Sequence, residues 1–336
     1  MANLVDRPAA PASAHLAGHL GWVKGLLQGM RAGRPQVLIS VVQVKGSAPR
    51  DEGARMWVDA HKAWNTIGGG HLELQAIELA RQMLAQAGPR AQVRHYALGP
   101  SLGQCCGGAV WLAFEYFQPG DLGWCEDVQA HIAQGRKAMR KVNLSSGSSR
   151  LDFLGEAPTD APLGSSWDEA SGMLTDVVGG HTLQVVVCGA GHVGKAIVQL
   201  LGTLPVSVFW LDPRDDAWPD SIPDNVTLVQ GDAADVVDCP DDAYWLVLTH
   251  SHALDLEIIQ NVFRHKPFCF LGLIGSKTKN ARFRSQLSRR FPQELVDRMV
   301  CPIGLVQTSS KLPAVIAVSV VAQLAPLIHP GLGERS

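Results

Sequence analysis

The stretch that most constrains the fold runs from Thr182 to Asp212, TLQVVVCGAGHVGKAIVQLLGTLPVSVFWLD. An apolar run of strand length enters Gly189-Ala190-Gly191-His192-Val193-Gly194. An apolar helical pattern follows, and a second strand-like run ends in Asp212. Glycines at these positions allow a tight turn and close approach of a phosphate to the N–H groups of the following helix, and the distal acid is placed for a ribose hydroxyl. A strand, a crossover helix and a parallel strand make one β-α-β unit. The rest of the C-terminal half repeats the alternation, with strands expected in VTLVQGDA, AYWLVLTHSH and CFLGLIGS and helices over Leu254–His265, Lys277–Arg289 and Leu312–Ala325. The fold class is α/β: a C-terminal Rossmann-like, doubly wound parallel sheet.

The N-terminal half follows a different pattern. A helix is expected over His19–Ala32 and strands over Pro35–Val44, MWVDA, AQVRHYAL, GAVWLAFEYF and RKAMRKVNLSS. A second helix follows the triple glycine of TIGGGHLELQ. These elements predict an N-terminal α/β domain of mixed type. From Ser145 to His181 the composition turns to Gly, Ser, Pro and Asp, which reads as a connector carrying at most a hairpin. The expected organisation is therefore 1–145, a connector over 146–181, and 182–336. A chain of 336 residues is comfortable for two such domains.

The net charge of −2 gives no basic field for nucleic acid or an anionic membrane. No apolar run has the length of a membrane span, and the N-terminal segment lacks a compact apolar stretch with a basic flank. The sequence thus predicts a cytoplasmic chain with its seven cysteines reduced.

Several short stretches are candidates for chemistry. GQCCGG, Gly103 to Gly108, places Cys105 and Cys106 side by side in a glycine loop, beside Gly107. Adjacent cysteines are poorly placed to bridge each other, and backbone N–H donors in such a loop lower a thiol pKa. Thiolates favour soft partners, including thiophilic metals. Gly68, Gly69 and Gly70 precede a helix, and Lys45, Arg50 and Arg55 lie in the preceding loop and strand, where they could meet phosphate. THSHALD ends a buried strand and offers His250 and His252 to a ligand or a metal. GLIGSK sets Ser276 and Lys277 at a second strand-to-helix junction suited to an anion or to plain capping.

Taken in order, GSAPRDEGARM, TIGGGHLE, LGQCCGG, VCGAGHVGKAI, THSHALD, FLGLIGSKTKNARF and CPIGLVQTSSKLPAVIAVSVVAQL resemble the XdhC/CoxI family of molybdenum-cofactor maturation proteins, over Val37 to Ala325. The resemblance implies a chaperone and not a turnover enzyme. Its cofactor would be the molybdenum cofactor, held for a cysteine desulfurase that exchanges an oxo ligand for sulfido and then inserted into the molybdenum subunit of apo xanthine dehydrogenase. The protein would be a homo-oligomer, a dimer. Cys106 matches the cysteine of the family's CGG, and Cys105 belongs to the narrower XdhC-like pattern. The two thiols would seat the molybdenum. Gly189, Gly191, His192, Gly194, Asp212, His250, His252, Ser276, Lys277, Arg50, Gly68, Gly69, Gly70 and Gly107 complete the expected cofactor-binding set. Where CoxI-like relatives carry a cysteine in a GGCxE turn, this chain reads Gly-Gly-Gly-His, with Gly70 at the matching place. Cys301, in CPIGL, is expected to be structural.

Two other readings remain at this point. An NAD-dependent oxidoreductase would use Asp212 and a residue of THSH, although NAD is not the expected cofactor. A metal hydrolase on His250 and His252 would need a third ligand that the sequence does not offer.

Overall fold

In a computed structural model, the residues described are 3–4, 21–86, 90–99, 107–133, 136–144, 150–158, 161, 164–179, 183–305 and 310–328. The chain divides into two compact units, His19–His181 on one hand and Thr182–Ser336 with Met1–Gly18 on the other. The second unit's sheet begins in sequence with β1 (Asn3–Leu4).

The unit 19–181 opens with α1 (Gly21–Arg31) and β2 (Gln36–Lys45). Then come β3 (Arg55–Val58), β4 (Ala63–Asn65), α2 (Gly70–Ala85), β5 (Ala91–Ala97) and β6 (Ala109–Phe117). β2 to β6 form an antiparallel sheet in the order β4-β3-β2-β6-β5. Val37, Ile39 and Val41 of β2 face one side, where they pack with Leu72, Ala76, Ala80 and Met83 of α2. This alternation is what a strand with two covered faces requires. On α1, Trp22, Val23, Leu26, Leu27 and Met30 are buried, and the helix sits tightly against the strands. A Cβ at Gly25 would lie 2.2 Å from the Trp57 ring.

α3 (Leu122–Ala133) and β7 (Lys137–Asn143) follow, and then β8 (Arg150–Glu156), β9 (Gly164–Asp168) and β10 (Met173–Gly179). The residues expected as a connector thus supply three strands of a second antiparallel sheet, ordered β8-β7-β10-β9. The physical reason is pairing. β10 has β7 on one side and β9 on the other, so its backbone groups are satisfied although the flanking turns are rich in Ser, Gly and Pro. Val142, Leu144 and Leu174 of this sheet region share a core with Val42, Ala91 and Ala113 of the first sheet.

Charge is also buried between the two sheets. Asp176 of β10 stands opposite Arg140 of β7 and Ser165 of β9. It accepts from Arg55 Nη2 at 2.7 Å, Arg140 Nη2 at 2.5 Å and Ser165 Oγ at 2.6 Å. Arg140 also donates to Glu115 of β6, at 2.8 and 3.1 Å. The Trp22 ring covers Arg55 and the Trp124 ring covers Arg140. Arg55, expected to meet phosphate, is therefore committed to the core.

The Rossmann unit contains β11 (Leu183–Cys188), α4 (His192–Leu201), β12 (Val206–Asp212), β13 (Val226–Gln230), β14 (Ala243–Val247) and α5 (His252–His265). It continues with β15 (Phe268–Leu273), α6 (Lys277–Leu287), α7 (Gln293–Asp297), β16 (Met299–Val300) and α8 (Pro313–Ile328). The sheet order is β1-β13-β12-β11-β14-β15-β16, parallel except for β1. From β13 to β16 this is the doubly wound order, whose topological switch lies between β11 and β14. Val186 and Cys188 of β11 face the core shared with α5 and α6, and Val185 and Val187 face the core shared with α4 and α8. The α/β class and the Rossmann-like C-terminal half are as expected from the sequence.

Candidate functional site

The crevice at the switch point is built by the ends of β11, β12, β14 and β15. In the turn after β11 the glycines do different work. Gly189 has φ +120°, and a Cβ there would lie 2.6 Å from the Leu248 carbonyl oxygen at the end of β14. A Cβ at Gly194 would lie 2.0 Å from the Gly189 carbonyl oxygen, so Gly194 lets α4 close on the turn. Gly191, the residue before α4, has φ −74°, and a Cβ there would meet nothing within 4 Å. It fronts open space at a helix N-terminus, where free N–H groups suit an anion. His192, the first residue of α4, is exposed beside it. From the sequence, valine at 191 would be expected both to block a ligand and to clash with helix packing. No neighbour lies within 4 Å of a Cβ at 191, so a methyl group there would meet no packing obstacle.

Asp212 ends β12 and is 1% exposed. Its Oδ2 accepts from Ala190 N at 2.6 Å and from Arg214 Nη2 at 2.9 Å, and its Oδ1 accepts from Arg214 N and Nε. Burial opposes its charge, but the Arg214 fork and the backbone donors outweigh burial and hold the carboxyl below the usual aspartate range. Both oxygens are thus engaged within the turn. Arg214 carries no signature in the sequence beyond its place two residues after the acid.

After β14, Thr249 donates to Asp255 Oδ1 through both N (2.9 Å) and Oγ1 (2.7 Å). After β15, Lys279 Nζ donates to Asp255 Oδ2 at 2.6 Å and to the Ile274 carbonyl at 2.9 Å. This buried pair fixes two crevice loops to each other. Asp255 was visible as the acid of THSHALD, but Lys279 was missed in favour of Lys277, which is exposed. Ser276 caps α6 by accepting from Lys279 N at 3.2 Å, and Ser251 caps α5. His250 and His252 are exposed at the same loop, and His252 stands edge-on to Phe283. Among the described residues there is no group of three side chains that could hold a metal ion. Cys301 is buried, and burial raises its thiol pKa against the opposing pull of Lys279 and Arg284. That is the behaviour of a packing cysteine.

In the other unit, three loops meet at one end of the five-stranded sheet. β2 ends, β4 ends, and the β5–β6 connection begins and returns at that edge. A Cβ at Gly108 would lie 2.4 Å from the Ser47 carbonyl, and one at Gly68 would lie 2.6 Å from Pro49 Cβ. The loop carrying Arg50 thereby neighbours both Gly108 and the triple glycine. Cys105 and Cys106 lie outside the described residues. Gly68, Gly69 and Gly70 all have positive φ (129°, 74° and 65°), which explains the run of glycines. Arg50 is exposed.

The N–H groups of Ile67, Gly68 and Gly69 are already used, Gly68 N donating to Thr66 Oγ1 at 3.0 Å. Glu73, in the first turn of α2, accepts through Oε2 from Thr66 Oγ1 (2.6 Å), Ile67 N (3.2 Å) and Gly69 N (3.0 Å). Glu73 was overlooked in the sequence, although an acid in the first turn of a helix is a capping signal. With Glu73 as the acid of the GGCxE pattern, counting back two residues puts His71, and not Gly70, at the cysteine's place. We expect Glu73→Ala to lower stability by about 1–3 kcal/mol, since three donors lose a charged acceptor. Inorganic phosphate should raise the melting temperature of that variant and not of the wild type. Equal effects of phosphate on both would mean that Glu73 does not fill the turn.

Among the described residues, no helix is long and apolar enough to cross a membrane.

Comparison with known proteins matches both units. Residues 30–97 match the XdhC and CoxI family, and residues 185–324 match the XdhC Rossmann domain. Uncharacterized protein YqeB of Escherichia coli (strain K12) is 25% identical over 297 residues, which is 86% of this chain and 43% of YqeB. The chain therefore spans less than half the length of that relative. A crystal structure described as a xanthine dehydrogenase from Bacillus halodurans superposes with a TM-score of 0.74 at 20% identity, covering 95% of this chain and 98% of that one. That likeness establishes a shared fold across both units. With one family model matched in each unit, and the motifs of both in order along the sequence, the chain belongs to the XdhC and CoxI family.

Proposed function

We propose that this protein serves the maturation of xanthine dehydrogenase, holding the molybdenum cofactor as cargo for sulfuration by a cysteine desulfurase and for insertion into the molybdenum subunit of the apoenzyme. Family membership supports the maturation role. The observation that carries the binding role is the turn before α4, where Gly191 opens a helix N-terminus to an anion at the switch point of a doubly wound sheet.

The residues fit such a cargo unevenly. The Gly189–Gly194 turn suits its phosphate. The turn at Gly68–Gly70 suits a second one less well, because Gly69 N donates to Glu73 and Gly68 N to Thr66 Oγ1. When bound, the cofactor supplies a phosphate, a pterin and a molybdenum centre with soft sulfur ligands. Toward the last of these, Cys106 is the main seat and Cys105 an assistant. Arg50 and Gly107 stand at the same end of the sheet. His192, His250, His252, Ser276 and Lys277 offer polar contacts around the Rossmann crevice. The protein acts as a holder without turnover, in the cytoplasm and as a dimer.

An NAD-dependent oxidoreductase is the weaker reading. The acid it would turn to a ribose diol, Asp212, has both oxygens engaged by Ala190 and Arg214.

The test is cofactor retention. Cys106→Ala should fold with an unchanged melting temperature, retain at most about a tenth of the wild-type molybdenum and fail to activate apo xanthine dehydrogenase, with Cys105→Ala less affected. Wild-type metal content and normal activation by Cys106→Ala would refute the thiol seat. Bound nicotinamide in place of pterin, found by mass spectrometry of the released small molecule, would refute the chaperone reading itself.

A further inference from the structure

The Rossmann unit carries its charge unevenly. Residues 264–298 hold nine lysines and arginines against two acids, Glu294 and Asp297, in a chain whose net charge is −2. The segment runs from the end of α5 through β15, α6 and α7. α5 and α6 pack on the same core and are tied by Lys279–Asp255 and Arg290–Gln260, so they lie side by side on one face of the sheet. Lys266, Lys279 and Arg284 are neutralised by Asp241, Asp255 and Asp297. Among the described residues, Arg264, Lys277, Arg282, Arg289 and Arg290 have no ion pair, and all five are exposed. The exposed acids of the same layer, Glu257 on α5 and Glu294 on α7, pair with none of them.

Helix dipoles account for part of this. A cation in the last turn of a helix is favoured, which suffices for Arg264 on α5 and for Arg289 and Arg290 just beyond α6. Lys277 runs against the rule, because it opens α6 in a first turn that holds no acid. The meeting of Arg264 and Arg290 is not explained by the dipoles either. Arg264 Nη2 and Arg290 Nη1 donate to the same neutral oxygen, Gln260 Oε1, at 3.4 and 3.3 Å. Arg264 also reaches Asn261 Oδ1 and lies over the Phe291 ring, 5.7 Å from its centroid. Two like charges are thus held together by amides and an aromatic ring, with no carboxylate between them. Most of their N–H groups remain open to solvent.

Guanidinium forks match carboxylates, which accept two parallel N–H bonds. From Arg290 to Lys277 the surface is about 20 Å long, the span of about six extended residues. Between its cations α6 exposes only Thr278, Ala281 and Ser285, so no large side chain stands in the way. The same composition disfavours other polyanions. No aromatic ring is exposed on α6 to stack a base, and a nucleic acid extending past this face would meet a remainder of the chain that is net negative. An anionic bilayer calls for apolar side chains to insert between the cations, and α6 exposes none larger than alanine. We propose that the outer face of α5 and α6 docks an extended acidic segment of a partner protein, whose carboxylates bridge Arg264 and Arg290 and run along α6 to Lys277. Lys277 adjoins the crevice assigned above to the cofactor, so the partner would stand at its rim. The docking surface itself does not depend on that assignment.

The experiment follows the fluorescence anisotropy of labelled octaglutamate on addition of the full-length protein. Wild type should bind it saturably at low salt, one peptide per chain, and high salt should release it. Arg264→Glu/Arg290→Glu should weaken binding about tenfold or more, through the loss of charge-assisted contacts. Lys24→Glu/Arg81→Glu makes the same change in net charge at exposed residues of the other unit, and should bind as wild type does. Octauridylate RNA and phosphatidylserine vesicles are the competing anions, and both should bind more weakly than the peptide. The proposal is overturned if octaglutamate does not saturate, if the Arg264/Arg290 variant binds as tightly as wild type, if the control variant loses as much, or if RNA or vesicles bind more tightly. It is overturned as well if sedimentation shows that the Arg264/Arg290 reversal dissociates a wild-type oligomer, since the face would then belong to a second copy. Should melting temperatures show that variant to be unfolded, Arg282→Glu/Arg289→Glu on the same face decides in its place.

Discussion

Asp176→Ala is expected to cost the unit 19–181 about 3–5 kcal/mol, the size of effect seen when one partner of a buried ion network is removed. The argument follows from charge balance. Arg55 and Arg140 face Asp176 and Glu115, two cations against two anions, all at least nine-tenths buried. Deleting Asp176 leaves Arg55 without its carboxylate and Arg140 with one instead of two. Neither guanidinium can be deprotonated to escape the penalty. A whole domain is stable by only about 5–15 kcal/mol, so much of the margin is lost. Urea unfolding followed by tryptophan fluorescence measures this directly, since Trp22 and Trp124 cover the two arginines. As a contrast, breaking the exposed Arg136–Glu156 pair should cost no more than about 1 kcal/mol. A similar small loss for Asp176→Ala would mean that the cluster is not integral to the core.

The same residue sets an acid limit. Burial alone would raise the Asp176 pKa, but Arg55, Arg140 and Ser165 reverse that and hold it at about 2, below the ordinary 3.8. A depressed folded-state pKa contributes stability that is complete above the unfolded value. It is lost as pH falls from there through the folded value. Acid unfolding of this unit should therefore steepen below about pH 4, and Asp176→Asn should flatten that limb.

The Rossmann half was legible because its signals are local. An apolar strand, a glycine turn and an acid at the end of the next strand lie within one continuous stretch and specify their own geometry. What escaped was non-local. Arg140 and Asp176 carry no sign of burial in the sequence, since nothing in KAMRKVN or MLTDVVG shows that both strands are covered by a second sheet. β9 and β10 were hidden for a related reason: the Ser- and Gly-rich turns around them looked like linker, while β10 is held by pairing with β7 and β9 by pairing with β10. In the site, Gly189, Gly191 and Gly194 could be placed from spacing alone. Asp212's capture by Arg214, and Glu73's occupation of the triple-glycine turn, depend on which donors are already used. Only the folded chain decides that.

Gly194→Ala and Gly191→Ala should separate two functions that the glycine motif merges. At 194 even a methyl group would lie 2.0 Å from the Gly189 carbonyl oxygen, with Leu248 Cδ1 at 3.2 Å. The obstacle is backbone, fixed in turn by the hydrogen bond from Gly189 N to the Leu211 carbonyl, so relief requires α4 to move off the sheet. α4 carries Ile197, Val198 and Leu201 into the core shared with Trp210 and Leu246. Overpacking of this kind costs about 1–3 kcal/mol where side chains can yield, and more where they cannot, so we expect about 3 kcal/mol or more. At 191 the backbone is ordinary and the space is empty, so alanine should change stability by no more than about 1 kcal/mol, the cost of a poorer helix cap. What it should remove is anion access, because the added carbon stands where a phosphate would approach the N–H groups of α4. The expected pattern is a lowered melting temperature for Gly194→Ala, and a native melting temperature with cofactor retention cut at least about tenfold for Gly191→Ala. Full retention by Gly191→Ala would show that α4 holds no phosphate and that this turn serves packing alone.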